Sequence, residues 1–168
     1  EIQIRFHQSV GLGVEVGRHP GLAGDGAGTG NHGAAVAYAA WQLGFQARIV
    51  VPKDANPKKL AAIRSYGATI EERGTDGVEA EIFAREESER LRIPYISPYN
   101  DLEVIAGQGT IASELARQIP APGADEVYLA LGGGGLLAGI AAHLKSIWPR
   151  VRIIGCSPEH SAVMIASI

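Results

Sequence analysis

From residue 30 onward the chain alternates between two spacings of apolar residues. Residues 31–43, NHGAAVAYAAWQL, carry the alanine content of a good helix, and Gly44 stops it. QARIVVP, residues 46–52, is a β-branched run closed by Pro52 and reads as a strand. NPKKLAAIRSYG follows as a helix, with Pro57 near its start and Gly67 at its end. ATIEER, residues 68–73, is a second strand. Residues 76–91 set Val78, Ile82 and Leu91 among many charged side chains, which predicts a surface helix with one apolar face. PYISPY, residues 94–99, is a third short strand.

The same alternation continues. VIAGQGTIASELARQI predicts a helix from about Gly109, interrupted by Pro120 and Pro122. ADEVYLAL is a strand, GGGG a loop, LLAGIAAHLKSI a helix and VRIIGCS a strand. Short strands alternating with longer helices predict an α/β fold with parallel sheets and flanking helices. Residues 5–28 carry neither a helical nor a strand period and break every few residues on glycine or proline. The last eight residues, SAVMIASI, follow the final strand and are apolar, so the sheet they end on needs further cover. An incomplete chain is therefore expected.

Composition narrows the class. At 168 residues and 46% apolar the chain can bury a core, and its net charge of −3 leaves no footprint for nucleic acid. No run approaches the length of a membrane span, and no basic block suggests an anionic membrane surface. The one cysteine, Cys156, rules out an intrachain disulfide and fits a reducing cytoplasm. Glycine is the exception, at 22 of 168 residues, or about 13% against a usual ~7%. Gly11, Gly13 and Gly17 read as ordinary loop residues, whereas two later clusters carry candidate chemistry.

The first is LALGGGGLLAGIAAHL, where four glycines separate a strand from a helix. A helix start offers about four unpaired backbone N–H groups and the positive end of the macrodipole, so glycines there let backbone wrap a phosphate. Neither the Walker A pattern nor a strict dinucleotide fingerprint is met, which points to a phosphate-bearing ligand other than a nucleotide; a tight packed turn is the plainer alternative. The second is GTGNHG, where Thr29 could cap the next helix and Asn31 and His32 fall in its first turn. Short polar groups there can grip a ring hydroxyl or a carboxylate, although a histidine such as His32 is as readily a packing residue. Glu71 and Glu72 point to opposite faces of a strand, the other histidines share no zinc spacing with Cys156, and no serine sits in a GxSxG elbow.

Taken together, GTGNHGAAVAYAAWQLG, PKDANPKKLAAIRSYGA, PYISPYNDLEVIAGQGTIASELARQ and LGGGGLLAGIAAHLK closely resemble the threonine/serine dehydratases. These are pyridoxal-phosphate enzymes of the tryptophan-synthase-β type (fold type II), which also include serine racemase. The resemblance covers roughly residues 29–160 in order. It implies a three-layer fold of parallel sheets, with a small mobile domain at 29–104, part of a large domain at 105–168, and an irregular remnant of the large domain at 1–28. It implies β-elimination of a hydroxy amino acid to a 2-oxo acid and ammonia. Gly132, Gly133, Gly134 and Gly135 match the cradle of the cofactor phosphate, and Asn31 matches the asparagine that bonds the pyridine hydroxyl. Thr29, Gly30, His32 and Gly33 match the loop that receives the substrate carboxylate, and Gln108, with Gly107 and Gly109, matches a stretch beside the same cleft. A small amino-acid substrate and a homodimer are the partners implied, with no nucleic acid and no membrane.

The chain also departs from this family. The lysine that holds the cofactor as a Schiff base is expected nearly thirty residues before Asn31, and counting back places Gln3 there. The first lysine in the sequence is Lys53. Metal-activated relatives carry a glutamate where this chain has Ser157, so no divalent ion is expected. Two further readings therefore stand beside the dehydratase: a catalytically inactive remnant or phosphate-binding module, and, less favoured by NDLEVIAGQGT, a cysteine-synthase-like transferase.

Overall fold

A computed structural model of the chain describes residues 3–4, 14–15, 23–27, 30–159 and 163–166. After two short strands, Gln3–Ile4 (β1) and Val14–Glu15 (β2), the described chain forms two compact units, one ending at Pro98 and the next starting at Tyr99. The α/β class expected from the alternation is met in both.

The first unit is a four-stranded parallel sheet. It contains Ala23–Ala27 (β3), Gln46–Val51 (β4), Thr69–Glu72 (β5) and Tyr95–Ile96 (β6), in the order β5-β4-β3-β6. Its helices are Asn31–Leu43 (α1), Pro57–Ser65 (α2) and Gly77–Leu91 (α3). Strand β4 shows why a continuous apolar run suits a sheet covered on both faces. Ala47, Ile49 and Val51 pack with Val36 and Ala37 of α1 and with Leu60 and Ile63 of α2. Val50 points the other way, onto Ala80 and Ala84 of α3. Ile49, Val50, Val51 and Ile63 are fully buried, each side chain contributing about 1.5–3 kcal/mol of transfer free energy. The helix starts are capped: the Asn56 side chain accepts from Lys58 N–H at 2.9 Å, and Asp76 accepts from Val78 and Glu79 N–H at 2.9 Å each. Arg48 of β4 reaches Glu71 of β5 at 3.1 Å and Glu87 of α3 at 3.8 Å. The hydrogen-bonded guanidinium of Arg90 holds the Glu87 carboxyl below its usual range.

Strand β3 corrects the expectation that residues 1–28 are irregular throughout. AGDGA has no β-branched residue, yet it pairs with β4 from Ala23↔Gln46 to Ala27↔Val50, and with β6 at Asp25↔Tyr95 and Gly26↔Ile96. Strand propensity measures how a side chain fits a sheet's surface, so it misses a segment held by backbone pairing to neighbours on both edges. Strand β6 is correspondingly shorter than the six residues expected.

In the second unit, Glu126–Ala130 (β7) and Arg152–Cys156 (β8) pair in parallel and are joined through Gly135–Ile147 (α6). Two shorter helices, Leu102–Gln108 (α4) and Thr110–Gln118 (α5), precede them, and Val163–Ala166 (α7) follows. The sequence predicts one helix from about Gly109. Helix α4 instead starts at Leu102 because Asp101 caps it, accepting from Glu103 N–H at 2.9 Å and Val104 N–H at 3.4 Å. Ala112, Ile140, Leu144 and Val151 form the core, with Val127, Leu129 and Ile153 packed against it.

Helix α6 is set by contact of backbone with backbone. A Cβ on Gly139 would lie 2.1 Å from the Ile105 carbonyl oxygen and 2.8 Å from Gly109 N, and one on Gly109 would lie 3.0 Å from the Gly139 carbonyl oxygen. No rotamer change relieves such a clash, so Gly139→Ala is expected to destabilise the chain by about 1–3 kcal/mol, the usual cost of overpacking. Gly44→Ala meets no atom within 4 Å but carries the strain of φ +73. Urea titration of both variants checks this: Gly139→Ala should show the lower midpoint, while a wild-type midpoint would contradict the crossing.

Candidate active site

The candidate residues fall into two groups, one in each unit. In the first unit Gly30 is the N-cap of α1, with no side chain capping the helix, and Asn31, His32 and Gly33 form its first turn. Asn31 is exposed and Gly33 buried. The Ile96 carbonyl accepts a hydrogen bond from His32 Nε2 at 2.9 Å, which ties the first turn of α1 to the end of β6. Lys59 of α2 brings its ammonium to the same place: a Cβ on Gly30 would lie 3.2 Å from its Nζ. A cation beside the positive end of a helix suits a carboxylate. Thr29 lies outside the described residues.

In the second unit residues 132–135 follow Leu131 just past the carboxyl end of β7. Ligands of open α/β sheets bind outside that edge. The Leu131 N–H donates to the Cys156 carbonyl at 2.8 Å, so pairing with β8 continues up to the loop. Gly134 is the N-cap of α6 at φ +92, a conformation side-chain-bearing residues rarely adopt, and no side chain caps the helix. Gly132 is exposed with nothing within 4 Å of a Cβ position, and Gly135 is buried. The loop thus presents glycine backbone and an uncapped helix start. The first intrahelical bond of α6 runs from Ala138 N–H to the Gly134 carbonyl at 2.8 Å, and the N–H groups ahead of it have no partner of their own within a helix.

Beneath the loop lies a residue that sequence reasoning missed. A Cβ on Gly133 would fall 2.1 Å from Tyr99 Cδ1 and 2.6 Å from its Cε1 and Cγ. Gln108 closes α4, and its Cβ lies 3.1 Å from where a side chain on Gly139 would begin, so it packs one turn along α6 from the glycine loop. Gln3 falls in β1. Nothing local in the sequence marks Tyr99, Lys59 or Gly139: each is defined by a partner dozens of residues away.

A model of pyridoxal-phosphate dependent enzymes matches residues 25–168. The chain belongs to that family. It is 39% identical over 142 residues to the biosynthetic L-threonine dehydratase IlvA of Haemophilus influenzae, covering 84% of this chain and 27% of that protein. It is 38% identical over 142 residues to the L-threonine ammonia-lyase of Thermotoga maritima, covering 84% of this chain and 35% of that protein. The solved processed form of threonine deaminase isoform 2 from Solanum lycopersicum superposes with a TM-score of 0.77 at 39% identity, over 86% of this chain and 39% of that one. The chain thus spans about a third of the length of these relatives. The resemblance read from the motifs, the fold type and the cofactor class are borne out.

The family's cofactor can be tested against the residues present. The uncapped α6 start, the open side of Gly132 and the left-handed Gly134 fit its phosphate. The covalent end is not met by the residue at position 3, since a glutamine amide cannot take the place of a lysine amine. Among the described residues no helix is long and apolar enough to cross a membrane.

The His32 contact makes a separate prediction. A carbonyl can only accept, so the ring must carry its proton on Nε2 when neutral. Imidazole ¹⁵N shifts near neutral pH should show the Nε2–H tautomer for His32, and an Nδ1–H tautomer would contradict the tie to Ile96.

Proposed function

We propose that the chain is the cofactor-phosphate and substrate-loop portion of a pyridoxal-phosphate-dependent threonine/serine dehydratase, an ammonia-lyase that converts a hydroxy amino acid to a 2-oxo acid and ammonia. The observation that carries this reading is the glycine loop at the uncapped start of α6. Backbone N–H groups of residues 133–136 bind the phosphate there, and the positive helix end favours its charge. Asn31 hydrogen-bonds the ring hydroxyl, while Thr29, Gly30, His32 and Gly33 receive the substrate carboxylate, with Lys59 adding positive charge. By its match to the family motif, Gln108 is a further substrate-binding residue. When bound, pyridoxal phosphate supplies an electron sink for the electrons released at the substrate Cα. Residues 29–104 act as the small mobile domain and 105–168 as part of the large one. The molecule works in the cytoplasm on a small amino acid, and a homodimer is its expected assembly.

Gln3 favours one second reading, a phosphate-binding remnant without turnover. Two experiments test these proposals. Pyridoxine 5′-phosphate and pyridoxine carry an alcohol in place of the aldehyde and cannot react with lysines, so their difference in affinity reports the phosphate alone. The phosphate form should bind at least about tenfold more tightly, a difference of about 1.4 kcal/mol; equal binding would remove the phosphate site. The register of Gln3 is tested by Gln3→Lys. After incubation with pyridoxal phosphate and borohydride, peptide mass spectrometry should find a new adduct at residue 3. Absence of that adduct would overturn the placement, and one site-selective adduct in the unaltered chain at Lys53 or Lys59 would overturn the remnant reading as well.

A further inference from the structure

We infer that Tyr99 is a positioning residue of the phosphate site: its ring is the floor that holds the glycine loop with its N–H groups turned toward the ligand. This rests on the proposal that the loop binds phosphate. Four glycines in a row are intrinsically the least ordered backbone a chain can offer, because each loses more conformational freedom on being fixed than any other residue. A loop of this kind has two ways to become a binding site: the ligand orders it, at a cost to affinity, or the protein orders it beforehand. The structure carries a device for the second.

Tyr99 follows Pro98, precedes the Asp101 cap of α4 and begins the second unit. Its half-buried ring lies against Gly133 so closely that a Cβ there would meet three ring atoms at 2.1, 2.6 and 2.6 Å. Gly132, one residue earlier, has nothing within 4 Å of a Cβ position, and at Gly134, one residue later, the nearest atom is Met164 Cε at 3.5 Å. The ring therefore supports the middle of the loop and leaves its neighbours open. Glycine at position 133 is required by this contact, whereas at position 134 it is required by the left-handed backbone. The flat face of an aromatic ring suits the role, since it offers broad contact and loses few rotamers. Because the ring touches the backbone of the loop, it acts on the ligand only through the direction of the N–H groups.

The test reads binding and needs no turnover. With the 168-residue chain, affinities are measured for pyridoxine 5′-phosphate and pyridoxine in the unaltered protein and in Tyr99→Ala, Tyr99→Phe, Gly133→Ala and the double variant Tyr99→Ala/Gly133→Ala. Tyr99→Ala should weaken the phosphate form about tenfold and leave pyridoxine unchanged, and Tyr99→Phe should retain the preference. Gly133→Ala should also lose it, but cost far less in the Tyr99→Ala background, where the methyl group has room; such non-additivity marks residues in contact. A purely structural role for Tyr99 would lower both affinities together. Should Tyr99→Ala fail to fold, Tyr99→Leu and Gly133→Ala carry the same comparison. If the unaltered chain prefers the phosphate form and Tyr99→Ala prefers it equally, the inference fails and the phosphate site stands. If the unaltered chain shows no preference, the site falls and the inference with it.

Discussion

The second unit depends on one crossing, that of α6 over the junction between α4 and α5. Gly139 presses its backbone onto Ile105 and Gly109, at a distance that admits no Cβ on either helix. Close-packed interiors transmit such constraints, because there is no free volume in which to absorb a shift. With the middle of α6 fixed in this way and its buried face, Ile140 and Leu144, set in the core, the direction of its first turn is fixed as well. The glycine loop begins where β7 ends and closes where α6 starts, so its two ends are held by elements that do not move independently. What remains free is the middle of the loop, and there the ring of Tyr99 lies against Gly133.

The first unit solves a similar problem by different means. Its helix start at Gly30 is likewise uncapped, but the turn is fixed by a side chain, with His32 bonded to the carbonyl of Ile96. Strand β6 is only two residues long, and this bond ties α1 to its last residue, Ile96, which also pairs with Gly26 in the ladder. In each unit a helix start without a side-chain cap is thus held in place by something other than a cap. The requirement is the same in a loop of small polar residues and in a run of glycines: the groups that would bind must not be satisfied from within.

Much of this was legible in the sequence, and what was not has physical reasons. Helix α1, strand β4 and the β7–α6–β8 unit follow from alanine content, β-branched runs and punctuation by glycine and proline, all local signals. The glycine loop was legible as a candidate phosphate site for the same reason, since its position between strand and helix is written in neighbouring residues. Strand β3 was not, because AGDGA is a strand only by virtue of the partners it pairs with. The start of α4 is less legible: Asp101 caps LEV, but Gly107 and Gly109 break the helical pattern a few residues on, where a helix start is also readable. Tyr99 and Gly139 carry no local mark at all. Gly109, which the motif match sets beside the cleft, also touches α6, where its small size serves packing.

Under the proposed function, backbone N–H groups at the start of α6 form an anion site prepared before any ligand arrives. The most direct measurement is a titration of the ¹⁵N-labelled chain, 17.6 kDa in mass, with inorganic phosphate, followed by amide chemical shifts. The resonances of Gly133, Gly134, Gly135 and Leu136 should move first and together, saturating with one dissociation constant, while those of Val104 and Leu144 stay in place. If these four amides do not respond, or if the shifts centre elsewhere in the chain, the glycine loop is a packed turn and no anion site.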